Sequence, residues 1–386
     1  MSPPVFLQEL GVVCALGHGK AEVWRRASRG DQSGLVHDGP FPLGRTRGDG
    51  LPIPAALRAH DSRNNRLLLQ ATEQIRAAIE TARSKLGSHR IGVVIGTSTS
   101  GIEEGLQALR PGSVAEDFEY QRQEIGSPAV FLASALELTG PAYVVSTACT
   151  SSARVFASAR RLMRLGLADA VLVGGADSLA TLTVAGFHSL ESVSRKPCNP
   201  MSLNRDGLTI GDGAAVFLLG KEPSPIALVG VGSCSDAHHM SAPDPQGAGA
   251  TRAMRAALED AGLEPRDVDA LNLHGTATRL NDAMEAQALC TVFGASATQP
   301  FSSSTKPMTG HALGAAGAIE LALSWLALSP LNEAHHLLPH LWDGVADPRL
   351  PALRLAELDQ RAPVRTMMSN SFAFGGNNVT LIIKRA

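Results

Sequence analysis

The 386-residue sequence predicts an α/β protein whose helices cover buried sheets. Three observations carry this expectation. Short apolar runs end repeatedly in glycine or small polar residues, the pattern of strands buried on both faces. Stretches of helical spacing lie between those runs, so strands and helices alternate. Two distant stretches also repeat one strand–turn–helix design.

In chain order, the strand candidates are Ile91–Ile95 before Gly96, Tyr143–Val145 before Ser146, and Ala170–Val173 before Gly174 and Gly175. Ala214–Leu219, Ala227–Val229, Ala270–Leu273 and Thr380–Ile383 follow. The helix candidates are Arg66–Lys85, Ser151–Leu167, Thr251–Ala261, Asp282–Phe293 and Ala315–Leu328. Tyr143–Leu167 passes from a strand through a tight turn holding Cys149 into a small-residue helix. Phe301–Leu328 passes from a short strand through a loop holding His311 into a helix rich in Ala and Gly, a composition suited to burial on all sides. The pair suggests two similar halves joined near Gly220–Pro225, where charge and proline cluster; spacing alone leaves the duplication open.

Hydrophobic residues make up 44% of the chain and charged residues 18%, a globular balance for one large domain or two fused ones. Aromatics are only 4%, so the core is built from Ala, Val, Leu and Ile. A net charge of -2 gives no bulk attraction to nucleic acid, although a local basic patch stays open. The five cysteines, Cys14, Cys149, Cys198, Cys234 and Cys290, are odd in number and widely spaced, with no CxxC pair. Neither a disulfide framework nor a zinc site is expected, and a reduced, cytoplasmic setting is. Met1–Pro4 does not begin a charged leader followed by an apolar stretch. No run reaches the roughly 18 uninterrupted apolar residues of a membrane span. The longest, Ala312–Ser329, contains Glu320 and several glycines.

Cys149 lies in Val145-Ser-Thr-Ala-Cys-Thr-Ser-Ser152, where a strand pattern gives way to a helix pattern. Exposed N–H groups at a helix start favour thiolate, and a strand-to-helix turn projects a side chain as a nucleophile elbow does. Alone, the position reads more readily as a small buried hydrophobe. His274 opens His274-Gly-Thr-Ala-Thr-Arg-Leu-Asn-Asp282 at a strand's C-terminal end, where α/β folds place their chemistry. Thr276 and Thr278 there offer hydroxyls to an amide-bearing substrate arm. His311 follows Lys306 and precedes Glu320, which falls inside a helix and needs a partner, Lys306 being the candidate. Either histidine alone is more often structural; two framed by glycine, in a chain with a candidate nucleophile, shift that balance. Asn370-Ser-Phe-Ala-Phe-Gly-Gly-Asn-Asn378 reads as a loop that places a bulky ring at a pocket mouth, or as a tight hairpin with a buried Phe.

Together these motifs resemble the elongating β-ketoacyl-acyl carrier protein synthases of the thiolase-like superfamily, a likeness that Asp236–Pro245 shares. The resemblance implies a thiolase-like, five-layered αβαβα sandwich of two similar halves, divided as residues 1–222 with the cysteine and 223–386 with the histidines. It implies that Cys149 takes an acyl chain from the phosphopantetheine arm of an acyl carrier protein, with no metal and no bound cofactor. His274 and His311 then promote malonyl decarboxylation. Lys306 and Glu320 support them, Thr276 and Thr278 hold the pantetheine, the N–H groups of Cys149 and Phe374 form an oxyanion hole, and Phe374 with Gly375 gates the pocket. Thr99, Met201 and Asp236 stand at positions expected to touch substrate, Thr99 where a larger residue limits acyl depth. Arg63 and Arg66 resemble a carrier-docking patch and equally suit a solvated helix face.

The sequence departs from the family at Ala373, Asn377, Met201, Ser202 and Asp212, which resembles the specialised synthases of aryl-polyene pathways. The implied partners are the carrier protein and a second subunit, either a copy of this chain or a chain-length factor, with no nucleic acid or membrane. The competing possibilities are a thiolase, a starter-unit synthase, or a non-catalytic chain-length factor. Thiolases and starter-unit synthases use Cys-His-Cys or Cys-His-Asn sets, and a chain-length factor usually lacks the nucleophile.

Overall fold

The computed structural model describes residues 5–110 and 119–386; Met1–Pro4, whose composition bears on a leader segment, lies outside them. Its strands are β1 (Val5–Cys14), β2 (Gly17–His18), β3 (Leu35–Asp38), β4 (Phe41–Gly44), β5 (Ile91–Gly96), β6 (Ala142–Val145) and β7 (Ala170–Asp177). They continue with β8 (Gly213–Gly220), β9 (Ile226–Ser235), β10 (Ala270–Asn272), β11 (Phe301–Ser303), β12 (Thr366–Ala373) and β13 (Asn377–Arg385).

The large sheet resolves into two sets with one topology. The first runs β6-β5-β7-β8-β1 and the second β11-β10-β12-β13-β9. In each, the first three strands are mutually parallel and the next two join antiparallel. The repeat that spacing left open is therefore present strand for strand. The sets meet where β1 pairs briefly with β9, Val5 opposite Leu228 and Phe6 opposite Ala227.

Helices Ser151–Arg164 and Ala316–Leu328 form the layer between the two sets, and their small residues permit close approach. A Cβ at Gly317 would lie 2.8 Å from that of Ala153, and the Ala318 N–H donates to Ser152 Oγ at 2.9 Å. Helices Arg63–Glu73 and Ser127–Ala135 cover the outer face of the first set through Leu67, Leu68, Phe131 and Leu132. Helices Ala248–Ala261 and Arg279–Phe293 cover the second through Met254, Leu258, Met284 and Leu289. The result is five layers, α-β-α-β-α.

Three elements differ from the sequence expectation. The helix expected over Arg66–Lys85 is two helices, Arg63–Glu73 and Arg76–Leu86. Gln74 at the break uses its amide on the backbone of β1, accepting from Val12 N–H and donating to Val12 C=O, both at 3.0 Å. β1 itself went unread because Gln8 and Glu9 interrupt its apolar pattern. Thr366–Ala373, expected as loop from Asn370 onward, is a central strand whose polar side chains are buried; Asn370 Oδ1 accepts from Thr380 Oγ1 at 2.8 Å. Among the described residues, no helix is long and apolar enough to cross a membrane.

Candidate active site

Cys149 sits between the end of β6 and helix Ser151–Arg164, and the turn is tied by its own hydroxyls. Ser151 Oγ donates to Ala148 C=O at 2.6 Å and accepts from Thr147 N–H at 2.9 Å; Thr150 Oγ1 donates to Thr147 C=O at 2.7 Å. Ala148 has φ +52°, a left-handed conformation that a residue with a Cβ rarely adopts and that surrounding bonds must enforce. The thiol is buried, which pushes its pKa up to about 12, with Lys306 pulling it down and Asp177 pushing it up. The thiolate expected at a helix start is therefore not the resting form here, because burial is the largest influence on the thiol.

His311 occupies the matching position between β11 and helix Ala316–Leu328. Its backbone is clamped on both sides: its N–H donates to Thr209 C=O at 2.6 Å, and its C=O accepts from Gly211 N–H at 2.9 Å. This clamp needs glycine at Gly44 of β4, where a Cβ would fall 2.0 Å from Thr309 O. His274 follows β10 and packs edge-to-face on His311, with ring centroids 5.3 Å apart. One ligating or titrating atom of each of Cys149, His274 and His311 lies within 4.8 Å of the others.

Burial, followed by the Lys306 charge, pushes both imidazoles well below the ordinary histidine range, so both rings are neutral at pH 7. His274 Nδ1 and both ring nitrogens of His311 have no hydrogen-bond partner among the described residues. Lys306 is wholly buried and its ammonium donates to His274 C=O and to Glu320 Oε1. The pairing inferred for Lys306 and Glu320 is thus present. Burial pushes the Glu320 carboxyl up and Lys306 counters it.

A cavity of about 570 Å³ opens over these groups. Thr276, Thr278, Asp236 and Phe374 line it together with Cys149 and both histidines. Thr276 Oγ1 and Thr278 Oγ1 are 3.0 Å apart. Phe374 lies 5.6 Å from the Phe187 ring and Gly375 N–H donates to Met240 C=O at 2.7 Å, so the loop rests against two other segments of the rim. Phe372, not Phe374, is the buried ring of the pair, so the mouth-lining and hairpin readings each describe one phenylalanine.

Two residues expected to touch substrate sit outside this cavity. Thr99 Oγ1 donates to Asp177 Oδ1 at 2.7 Å, and Met201 lines a separate hollow of about 280 Å³ beside Trp342. Arg63 and Arg66 are not a free basic patch: Arg63 pairs with buried Asp212 at 2.8 Å, and Arg66 with Asp61 at 2.6 Å.

Family models for the beta-ketoacyl synthase N-terminal domain and C-terminal domain match residues 56–224 and 226–334. The 3-oxoacyl-[acyl-carrier-protein] synthase 2 of Staphylococcus aureus (strain COL) is 32% identical over 349 residues, covering 84% of this chain and 82% of that protein. The Coxiella burnetii protein of the same name is 32% identical over 433 residues, covering 99% and 98%. The chain belongs to the beta-ketoacyl synthase family.

Solved ketosynthases share its fold throughout. The ketosynthase ApeO, solved in complex with its chain length factor ApeC from Xenorhabdus doucetiae, is 42% identical with a TM-score of 0.94, over 100% of this chain and 98% of that one. A beta-ketoacyl synthase from Burkholderia phymatum STM815 is 28% identical with a TM-score of 0.89, over 100% of both chains. The thiolase-like αβαβα architecture and the acyltransferase class follow.

In this beta-ketoacyl synthase, two buried carboxylates that sequence reasoning passed over hold the histidine loops. Glu285 accepts from His274 N–H at 2.8 Å and from Gly275 N–H at 2.7 Å; burial pushes it up to about 7. Asp177 accepts from Thr97, Ser98 and Thr99 and from Gly314 N–H at 2.6 Å, tying the turn after His311 to the end of β5. Glu285 had a visible signal, since it lies three residues after Asp282 on one helix face. Asp177 had none, because all its partners are remote in sequence.

Proposed function

We propose that this synthase elongates an acyl chain by decarboxylative Claisen condensation, with Cys149 as the acyl carrier. The convergence of Cys149, His274 and His311 within 4.8 Å carries this reading. The Cys149 sulfur attacks the thioester of an acyl chain on a carrier protein; the C–S bond to the carrier breaks and its thiol departs. Either neutral imidazole can accept the Cys149 proton as the thiol approaches the carbonyl, and it passes that proton to the departing carrier sulfur. Malonyl-carrier then places its thioester oxygen on the unpartnered imidazole nitrogens, acting as hydrogen-bond donors. Loss of carbon dioxide leaves the bonding pair as an enolate, stabilised where the charge develops. Its α-carbon attacks the Cys149 thioester, the C–S bond breaks, and the thiolate takes a proton from solvent. The N–H groups of Cys149 and Phe374 hold the oxyanion, and Phe374 with Gly375 gates entry.

Thr276 and Thr278 suit the amides of the phosphopantetheine arm, and Asp236 anchors the mouth through Asn378 at 2.6 Å. The division at residues 222 and 223 separates the nucleophile's half from the histidines' half. By distance alone, the cysteine and histidines could also hold a metal ion. The buried ammonium of Lys306 beside them disfavours a second cation, so the reaction is assigned without metal, and none of the steps above calls for a bound cofactor.

The relatives' name supports acyl carrier protein as the donor's carrier. The likeness to a ketosynthase solved with its chain length factor supports such a factor as partner. The departures at Ala373, Asn377, Met201, Ser202 and Asp212 favour an aryl-polyene type of pathway, and five unpaired cysteines favour the cytoplasm. Cys149 speaks against this chain being the non-catalytic subunit. Intact mass after incubation with acyl-carrier protein is expected to show one acyl group, mapped to Cys149. A wild-type chain that neither acylates nor releases carbon dioxide from malonyl-carrier would overturn the reading.

A further inference from the structure

His340 lies in none of the motifs above, yet it stands directly behind the histidine loops. It is 4% exposed, and both ring nitrogens are engaged with backbone. Nδ1 accepts from Ser304 N–H at 3.1 Å, and Nε2 lies 3.0 Å from Pro200 C=O, to which it donates. A carbonyl only accepts and an N–H only donates, so this pair of contacts fixes a neutral ring with the proton on Nε2. Burial favours that neutral form, which the ring keeps down to about pH 4.

Ser304 is the link forward. Its Oγ donates to Gly275 C=O, next to His274, at 2.7 Å, and accepts from Lys306 N–H at 3.4 Å. Gly275 has φ +39°, and a Cβ there would lie 2.6 Å from Ser304 Cβ, so the contact requires glycine. Pro200 is the link sideways: the next residue, Met201, donates its N–H to Asp282 Oδ2 at 2.7 Å, and Asp282 Oδ1 accepts from Ala277 N–H at 3.1 Å. A closed ring of hydrogen bonds thus runs from His340 through Ser304, the 275–277 loop, Asp282 and Met201 back to Pro200.

We propose that His340 is a positioning residue for decarboxylation, holding Ser304 and with it the His274 loop and Lys306 through its two backbone contacts. An imidazole suits this place because it presents a donor and an acceptor on opposite sides of a rigid ring. It touches no part of the pocket that holds Cys149, so its loss leaves the acylation turn intact. The inference rests on the proposed function, since it concerns the step assigned to His274.

The test compares His340→Phe, which keeps ring volume and removes both contacts, with His340→Asn, whose Oδ1 takes the place of Nδ1 towards Ser304. Carbon dioxide release from malonyl-carrier is measured separately from acylation of Cys149 by mass, on folded protein. A positioning error near the reacting atoms is expected to slow decarboxylation by on the order of 10- to 100-fold in the Phe variant. Acylation stays within about twofold, and the Asn variant recovers most of the loss by restoring the acceptor. Equal loss of both steps, unchanged decarboxylation in the Phe variant, or no recovery in the Asn variant would each overturn the inference. If only the Asn variant folds, decarboxylation more than about tenfold below wild type refutes the acceptor role, and near wild-type decarboxylation supports it. A wild-type protein inactive in both steps would instead sink the proposed function.

Discussion

The turn after β6 and the segment after β11 hold equivalent places in two sets of strands of one topology, yet they present different side chains. The first presents Cys149 from a short elbow closed by Ser151 and Thr150, with no ion pair of its own. The second presents His311 after a helical turn, Lys306–Thr309, that inserts a buried ammonium between the His274 carbonyl and Glu320. Topology therefore fixes where a side chain emerges, and the buried polar partners fix what it does there. One turn is buried deeply enough to hold a neutral thiol. In the other, burial first and the Lys306 charge second keep two imidazoles neutral.

The largest way to break the comparison is to remove the nucleophile. Cys149→Ala is expected to cut condensation by on the order of 10⁴-fold or more while the fold survives. A variant that still forms β-ketoacyl product would refute the role of the thiol. His274→Ala and His311→Ala act on the other turn. Each is expected to lose malonyl decarboxylation by about 10²- to 10⁴-fold and to keep an acyl adduct by intact mass. Absence of that adduct would erase the division of labour between the two turns.

Lys306→Met separates charge from volume. It leaves Glu320 buried without its cation, for which a loss of about 3–5 kcal/mol is expected in chemical denaturation. The double variant Lys306→Met with Glu320→Leu is expected to regain much of that stability but not decarboxylation. Recovery of both would mean that the pair serves only packing.

The smallest effect concerns the thiol's charge. With its pKa pushed up to about 12, Cys149 is protonated throughout the neutral range. Its alkylation by iodoacetamide is expected to rise about tenfold per pH unit from pH 7 to 9 without a plateau, because only the thiolate reacts. Asp177→Asn removes a nearby negative charge and is expected to speed alkylation at pH 8. A plateau below pH 8 would show that the helix end outweighs burial after all.

Much of this arrangement was legible from the chain. Continuous apolar runs such as Ile91–Ile95 and Ala170–Val173 disclosed strands buried on both faces, and the Lys306–Glu320 pair followed from a glutamate inside an apolar helix. What stayed hidden rests on groups whose partners are distant in sequence. Asn370 and Ser371 look like loop residues until the strand Thr366–Ala373 is seen to bury them, with Thr380 donating to Asn370. Thr99 looks like a pocket residue until Asp177, 78 positions away, is seen to hold it. Arg63 looks like part of a docking patch until Asp212, 149 positions away, is found beneath it. Periodicity reports the face a residue presents, and it is silent on which polar atom will meet it.

The short seam between β1 and β9 has a consequence for the growing chain on the ribosome. β1 pairs along most of its length with β8 and, at its start, with β9, so its partners lie roughly 200 residues downstream. At synthesis rates of about 5–20 residues per second, an apolar strand waits on the order of 10–40 seconds for a mate. During that interval it is an unpaired edge able to join another nascent chain. Gln8 and Glu9, the residues that hide β1 from a reading of the sequence, break its apolar run with the polar side chains that blunt such edges.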